Sequence, residues 1–271
     1  MKLRPFWITL LLCWSLAPML WQLISSFSTS EALIAPASAV VQRWTLANYM
    51  ALLQSQPPFW IYLLNSSIVA SLTTLLTLGL ALPAAYALAR SSAILRRSSR
   101  LFITAAALFP YVLLFLALLE LARTFSLGNN LFALSIPYTA LSLPLALLLL
   151  TAAFEGLPRD LEDAARLEGM TLLQRLQWVL IPLIAPATAS TAILVFLFAW
   201  NEYPVALTWL SDASLLTLPV AMARIAGTSV YSIPYGTYAA ATVLGSLPLL
   251  VLVLIFQRQI VSGLTNGAVK G

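Results

Sequence analysis

Long runs of apolar residues dominate this chain, separated by short polar pieces. Runs at about Phe6–Ile24, Leu63–Leu88, Leu101–Ala122, Leu131–Phe154, Val179–Trp200 and Tyr238–Phe256 each approach the roughly 20 residues that a helix needs to cross a bilayer. The pattern predicts an all-α membrane protein with six transmembrane helices. It places a first helix and outer loop in residues 1–62 and a five-helix core with a C-terminal tail in residues 63–271. Two outer pieces are longer than turns. Residues 28–60 are expected to hold a short helix near Leu46–Leu53, and Leu215–Ala226 is apolar enough to form a re-entrant or interfacial helix. Pro83, Pro110, Pro144, Pro186 and Pro248 fall within spans, where they read as kinks.

Composition supports a membrane class: 61% of the 271 residues are hydrophobic, 8% are charged, and mean hydropathy is +0.93. A soluble domain carries about 25% charged residues. Lys2 and Arg4 before the first run resemble a signal peptide, but the run is longer than the roughly 7–15 residues of a signal core. The small-residue patterns at Ala35–Ala37 and Ala37–Ala39 lie too far downstream, and bulky Leu12 before Cys13 suits lipoprotein processing poorly. An uncleaved first span is expected.

Charge distribution orients the spans. With the N-terminus inside, the inner pieces hold Lys2, Arg4, Arg90, Arg96, Arg97, Arg100, Arg159, Arg166, Arg175, Arg258 and Lys270. The outer pieces hold only Arg43, Arg123 and Arg224. That asymmetry predicts that both termini are cytoplasmic. The net +5 therefore reads as topology, with no nucleic acid among the expected partners.

No motor is visible in the chain. A phosphate-binding loop needs a lysine after its glycines, and the only lysines are Lys2 and Lys270. Histidine is absent and Cys13 is the single cysteine, so neither a metal site nor a nucleophile–base pair is expected. Ion coupling usually requires carboxylates at mid-membrane, whereas Glu120, Glu155 and Glu202 lie toward span ends. Glu120 is expected to pair with Arg123. The chain is not expected to be an enzyme.

The segment Asp163–Pro182, DAARLEGMTLLQRLQWVLIP, is charged and lies between two apolar runs. It reads as two helices joined by a turn. Pro158 suits a first helical position, and Asp160 and Glu162 suit the positive end of the helix dipole. Leu161, Ala164, Ala165 and Glu168 share a face, on which the two alanines leave room for close approach by another surface. Asp163 and Arg166 are spaced to pair. Gly169 suits a left-handed terminator, Thr171 with Gln174 forms a capping box, and Trp178 suits the membrane interface. The residues alone fit two readings equally: a hairpin gripped by a soluble partner, and an interfacial amphipathic hairpin with none.

The same residues resemble the coupling loop of ABC importer permeases, E-A-A, three residues, G, nine residues, I-x-L-P. Here it stands as Asp163-Ala164-Ala165, Gly169, Val179, Ile181 and Pro182, with Asp163 in place of glutamate. Leu157 to Glu162 looks like the family's lead-in. Gln257-Arg258, Val261–Thr265 and Gly267–Gly271 are similar to the tail of maltose-type carbohydrate permeases, as are Asn48-Tyr49, Leu64–Ser66 and Trp200–Tyr203. The resemblance implies a coupling helix between the fourth and fifth spans, with Asp163, Ala164, Ala165, Gly169 and Pro182 carrying it. It implies a second tail contact at Gly267, Val269, Lys270 and Gly271.

It further implies a homologous partner permease, two ATP-binding subunits that use ATP and Mg, an extracytoplasmic solute-binding protein, and a bacterial inner-membrane location. The expected cargo is a sugar or sugar-like solute, with Asn65, Tyr111, Asn201 and Tyr203 as pathway candidates. The competing readings are an ABC permease for another small polar solute, an ion-coupled carrier acting alone, and a scaffold or membrane enzyme.

Overall fold

The computed structural model describes residues 3–34, 44–226 and 234–268. Lys2, Arg43, the small-residue pattern at 35–39, Val269, Lys270 and Gly271 lie outside the described residues. Within them the chain is helical, and its only strand-like pairing is an isolated bridge between Ser28 and Trp44.

Helices α1 (Leu3–Ser26), α4 (Phe59–Arg90), α7 (Leu131–Glu155) and α14 (Tyr235–Ala268) are each long and apolar enough to cross a membrane unbroken. At about 1.5 Å rise per residue, the 32-residue α4 is longer than the roughly 30 Å hydrocarbon layer. Several buried hydroxyls inside spans bond back to carbonyls one turn earlier, as Thr139 does to Ser135 and Ser142 to Tyr138. That removes polar groups from a medium that offers no water. Trp7, Leu11, Trp14 and Trp21 on α1 are exposed. An apolar face of this size needs lipid or another chain to cover it.

The third and fifth expected spans are not single straight helices. The third is α5 (Ala93–Leu108), a short 3-10 turn at Tyr111–Leu114 and α6 (Phe115–Thr124), bent by 79° at the break. The cause is local: Phe109, next to Pro110, is extended at ψ 129, because proline disfavours the helical region for the residue before it. The fifth combines Leu172–Leu183 with α11 (Ala185–Asn201) at 82°. Pro182 and Pro186 bracket the bend at Ile184, and each removes one donor from the hydrogen-bond ladder. Pro83, Pro144 and Pro248 stay inside continuous helices. Glu120 and Arg123 are not an ion pair; the pairs among the described residues are Arg90–Glu162, Arg96–Glu155, Arg100–Glu155 and Arg166–Asp163.

The chain forms two compact units, Met1–Asn65 with Ala213–Leu250, and Ser66–Asp212 with Val251–Gly271. In the first, α2 (Ser30–Ile34) follows α1, and α3 (Ala47–Gln54) supplies the short outer helix expected near Leu46–Leu53. Asn48 is the unit's polar hub. Its amide nitrogen donates to the Ser26 and Ser28 carbonyls, each at 2.9 Å, and its Oδ1 accepts from Thr237. Helix α13 (Leu218–Ile225) lies within the apolar Leu215–Ala226 stretch.

In the second unit, α7 is the central helix, with half of its span window buried. It packs against α5 and α11. Ala81, Ala85, Tyr86 and Ala89 of α4 and Ala146, Leu150 and Phe154 of α7 form one core with Leu176, Leu180 and Ile184. The small alanines of α4 share this core with the large side chains of α7, small beside large as close packing requires.

Candidate functional site

The segment singled out in the sequence is a closed hairpin in this second unit. Its first helix, α8 (Asp160–Leu167), starts at Asp160 rather than Pro158, with Asp160, Glu162 and Asp163 in the first turn. Three acids there oppose the positive end of the helix dipole. The helix ends in a Schellman motif: Met170 N–H donates to the Ala165 carbonyl at 3.1 Å and Gly169 N–H to the Arg166 carbonyl at 2.9 Å. Gly169 takes φ +79, a region that a Cβ disfavours, so glycine here satisfies two otherwise orphan carbonyls.

The return strand of the hairpin is helical too. Thr171 and Gln174 form the reciprocal capping box, with Gln174 N–H donating to Thr171 Oγ1 at 3.4 Å and Thr171 N–H to Gln174 Oε1 at 2.8 Å. After α9 (Leu172–Gln174), the backbone widens into a π-turn over Arg175–Leu180, where Ile181 N–H reaches the Leu176 carbonyl. Pro182 lies in α10 (Ile181–Leu183) immediately beyond. It lacks an N–H and its ring crowds the carbonyl four residues earlier, which favours the wider turn. Helix α8 packs on this π-turn.

The two faces of α8 differ sharply. Glu162 and Ala165 point inward, 5% and 6% exposed, whereas Asp163, Ala164, Leu167 and Glu168 point outward. The adjacent alanines therefore part: Ala165 is used by the hairpin's own packing, and Ala164 is the small residue open to another surface. Leu167 is 90% exposed, and Leu161 and Met170 are also exposed. Asp163 reaches only Arg166, at 3.9 Å, a surface pair of about 0–1 kcal/mol.

Buried Glu162 is held from α4. Tyr86 Oη donates to its Oε2 at 3.0 Å and Arg90 Nε to its Oε1, across 76 and 72 positions of chain. Arg90 Nη1 also donates to the Phe154 carbonyl at 3.2 Å, and the Tyr86 ring meets Phe154 edge-on at 5.7 Å. Arg175 lies within electrostatic reach of Tyr86, and its Nε and Nη1 are buried without a protein partner. In the sequence Arg90 marks topology, and Glu162 is a dipole partner within the lead-in to the coupling loop. No local pattern pairs them, since the pairing depends on where α4 ends.

The pathway candidates separate. Asn65 is buried in the first unit, and its amide nitrogen donates to the Ser214 and Leu216 carbonyls, both at 2.9 Å. It ties this unit's part of α4 to the backbone at residues 214–216. In the second unit Tyr111 and Tyr138 each meet Phe198 edge-on, at 6.1 and 6.2 Å. Asn201 is exposed, its amide bonded back to Leu197, and Tyr203 is exposed nearby in sequence. Glu202 between them is buried, which the sequence did not indicate. Gly267 lies in the last turns of α14, while the rest of the tail set lies outside the described residues.

Comparison with known proteins places this geometry. Residues 80–266 match the family model for the binding-protein-dependent transport system inner membrane component. The chain is 40% identical over 270 residues to the sulfoquinovosyl glycerol transport system permease protein of Agrobacterium fabrum, covering 99% of this chain and 94% of that one. It is 38% identical to the trehalose/maltose transport system permease protein of Thermococcus litoralis, over 94% and 92% of the two chains. The trehalose transport system permease protein of Mycobacterium tuberculosis is 37% identical, over 97% and 95%. A bacterial ABC transporter that imports the acidic polysaccharide alginate has the same fold, with TM-score 0.79 and 95% coverage of both chains at 22% identity. With its helical spans, its inward-latched hairpin and the match over residues 80–266, the chain belongs to the family of binding-protein-dependent transport system inner membrane components.

Proposed function

We propose that this chain is one of two homologous permease subunits of an ATP-driven importer for a small sugar or glycoside. The observation that carries the sugar class is the relatives: permeases for sulfoquinovosyl glycerol, trehalose/maltose and trehalose match nearly the whole chain at 37–40% identity. Each bent pair counts as one span, which makes six with both termini cytoplasmic and the hairpin on the inner side of a bacterial inner membrane. The excess of arginine on the inner pieces supports that orientation.

In this reading two ATP-binding subunits consume ATP and Mg, and one of them grips α8 through Asp163, Ala164, Leu167 and the open side of Gly169. The tail from Gly267 through Val269, Lys270 and Gly271 is a second contact. A solute-binding protein delivers the sugar from outside. Tyr111, Asn201 and Tyr203 offer aromatic and amide groups suited to a sugar's apolar faces and hydroxyls. What favours docking over a partnerless hairpin is the apolar surface the hairpin leaves open at Leu161, Leu167 and Met170, with Leu167 90% exposed, surface of the kind that a partner covers.

The complete complex in proteoliposomes tests this. Uptake of labelled trehalose, maltose or sulfoquinovosyl glycerol is expected to require internal ATP and Mg and external binding protein. A cysteine pair at Ala164→Cys and in the cleft of the ATP-binding subunit is expected to cross-link. Uptake by this chain with an ion gradient and no ATP-binding subunit would establish a carrier instead. Uptake of a non-sugar solute alone would overturn the substrate class.

A further inference from the structure

Helix α8 has one docking face and one buried face, and the buried face carries a single ionic tie. Among the described residues, its other buried side chain is Ala165, which offers packing only. Its remaining ion pair, Asp163–Arg166, is internal to the helix and exposed. The bonds that fix α8 to a span through side-chain chemistry therefore converge on Glu162. Its donors, Tyr86 and Arg90, both lie in the final turns of α4, a continuous helix from Phe59 to Arg90. Covalently, α8 follows the end of α7 after the short piece Gly156–Arg159. Arg90 also grips that end through the Phe154 carbonyl.

The geometry points to Glu162, Arg90 and Tyr86 as positioning residues, a joint through which displacement of the docked hairpin moves α4. The inference rests on the docking reading and deepens it. At about 100° per residue, Glu162 and Ala164 lie on opposite sides of α8: the partner would touch Ala164 and Leu167, which are exposed, while buried Glu162 faces the bundle. A push on the outer face is carried to α4 only if the inner face is rigidly attached. An ion pair with a second, tyrosine donor and a shared backbone carbonyl resists both sliding and rotation in a way that alanine packing does not. Arg90 is bonded to Glu162 through Nε and keeps a buried Nη2 without a protein acceptor. Glutamine in place of Glu162 keeps the size and an acceptor but removes the attraction.

The test uses the assembled complex with partner permease, ATP-binding subunits and binding protein. Glu162→Gln and Arg90→Gln are each combined with the Ala164→Cys cross-linking reporter. We expect the variants to assemble and to cross-link to the ATP-binding subunit as the parent does. The ratio of binding-protein-stimulated to basal ATP hydrolysis should fall about tenfold, within the usual range for coupling between sites, with uptake falling in parallel. Tyr86→Phe, which leaves the ion pair, should lower the ratio by less. Exchanging the partners, Glu162→Arg with Arg90→Glu, should recover part of it. A stimulation ratio and uptake equal to the parent's would overturn the joint. So would loss of assembly or of cross-linking in both Glu162→Gln and Arg90→Gln, since the pair would then be structural only. Failure of the parent itself to cross-link removes the docking reading, and the joint with it, whatever the variants do.

Discussion

Tyr138 donates its hydroxyl to a Glu202 carboxylate that is 3% exposed, tying α7 to the start of α12 (Pro204–Trp209) across 64 positions of chain. The same carboxylate accepts from Val205 N–H at 3.0 Å and Ala206 N–H at 3.1 Å. Its oxygens are thus occupied by one phenol and two backbone amides at a helix N-terminus, where negative charge is stabilised. An acid in that setting is a structural cap, and it gives the chain no free carboxylate there for ion coupling.

Tyr138→Phe removes one donor and leaves the two amides in place. It should lower the stability of the purified complex by about 1–3 kcal/mol. Glu202→Ala orphans two buried amides and the phenol together, and should cost more. Thermal unfolding of the detergent-purified complex checks the order. An equal effect of both changes would contradict the cap.

Gly236 is the glycine whose replacement should be punished. A Cβ there would stand 2.6 Å from Asn48 Nδ2 and from the Ser28 carbonyl, the groups that form the hub of the first unit. Gly236→Ala should cost about 1–3 kcal/mol through overpacking. Gly79, in the middle of α4, has nothing within 4 Å of its Cβ position, and Gly79→Ala should be neutral or stabilising by about 0.5–1 kcal/mol. Folded yield and unfolding temperature of the two variants should move in opposite directions.

Gly169 separates a backbone requirement from a docking requirement. Its Cβ position is open, but φ is +79, so Gly169→Ala should cost the hairpin about 1 kcal/mol. Gly169→Asn, with a side chain that tolerates the left-handed region, should cost less. Gly169→Asp adds charge to the open rim and should leave insertion intact while uncoupling ATP hydrolysis from uptake. Transport by that variant at the parent's rate would remove Gly169 from the docking surface.

The local devices were legible because their chemistry is contained within a few residues. The capping box at Thr171 and Gln174 spans one helical turn, and the left-handed Gly169 follows from the helix it ends. The family motif is equally local. The spans were legible as lengths of apolar sequence but not as shapes. Pro110 and Pro186 mark breaks of 79° and 82°, while Pro83, Pro144 and Pro248 sit in continuous helices. A proline removes one donor in either case; whether the helix bends or breaks depends on what packs against it.

Taken by itself, the sequence determined that this chain is a bundle of apolar helices with a capped, charged hairpin before its fifth apolar run, because length, hydropathy and capping are properties of contiguous residues. Only the tertiary structure decided which face of that hairpin is free. Ala164 and Ala165 are neighbours in sequence, yet a turn of 100° per residue puts one in the open and the other against the π-turn. Glu162 became a buried acid rather than a surface one because α4 is long enough to bring Tyr86 and Arg90 beneath it. Asn65 and Glu202 became ties for the same reason: their partners, up to 151 positions away, are chosen by helix packing, which no local pattern records.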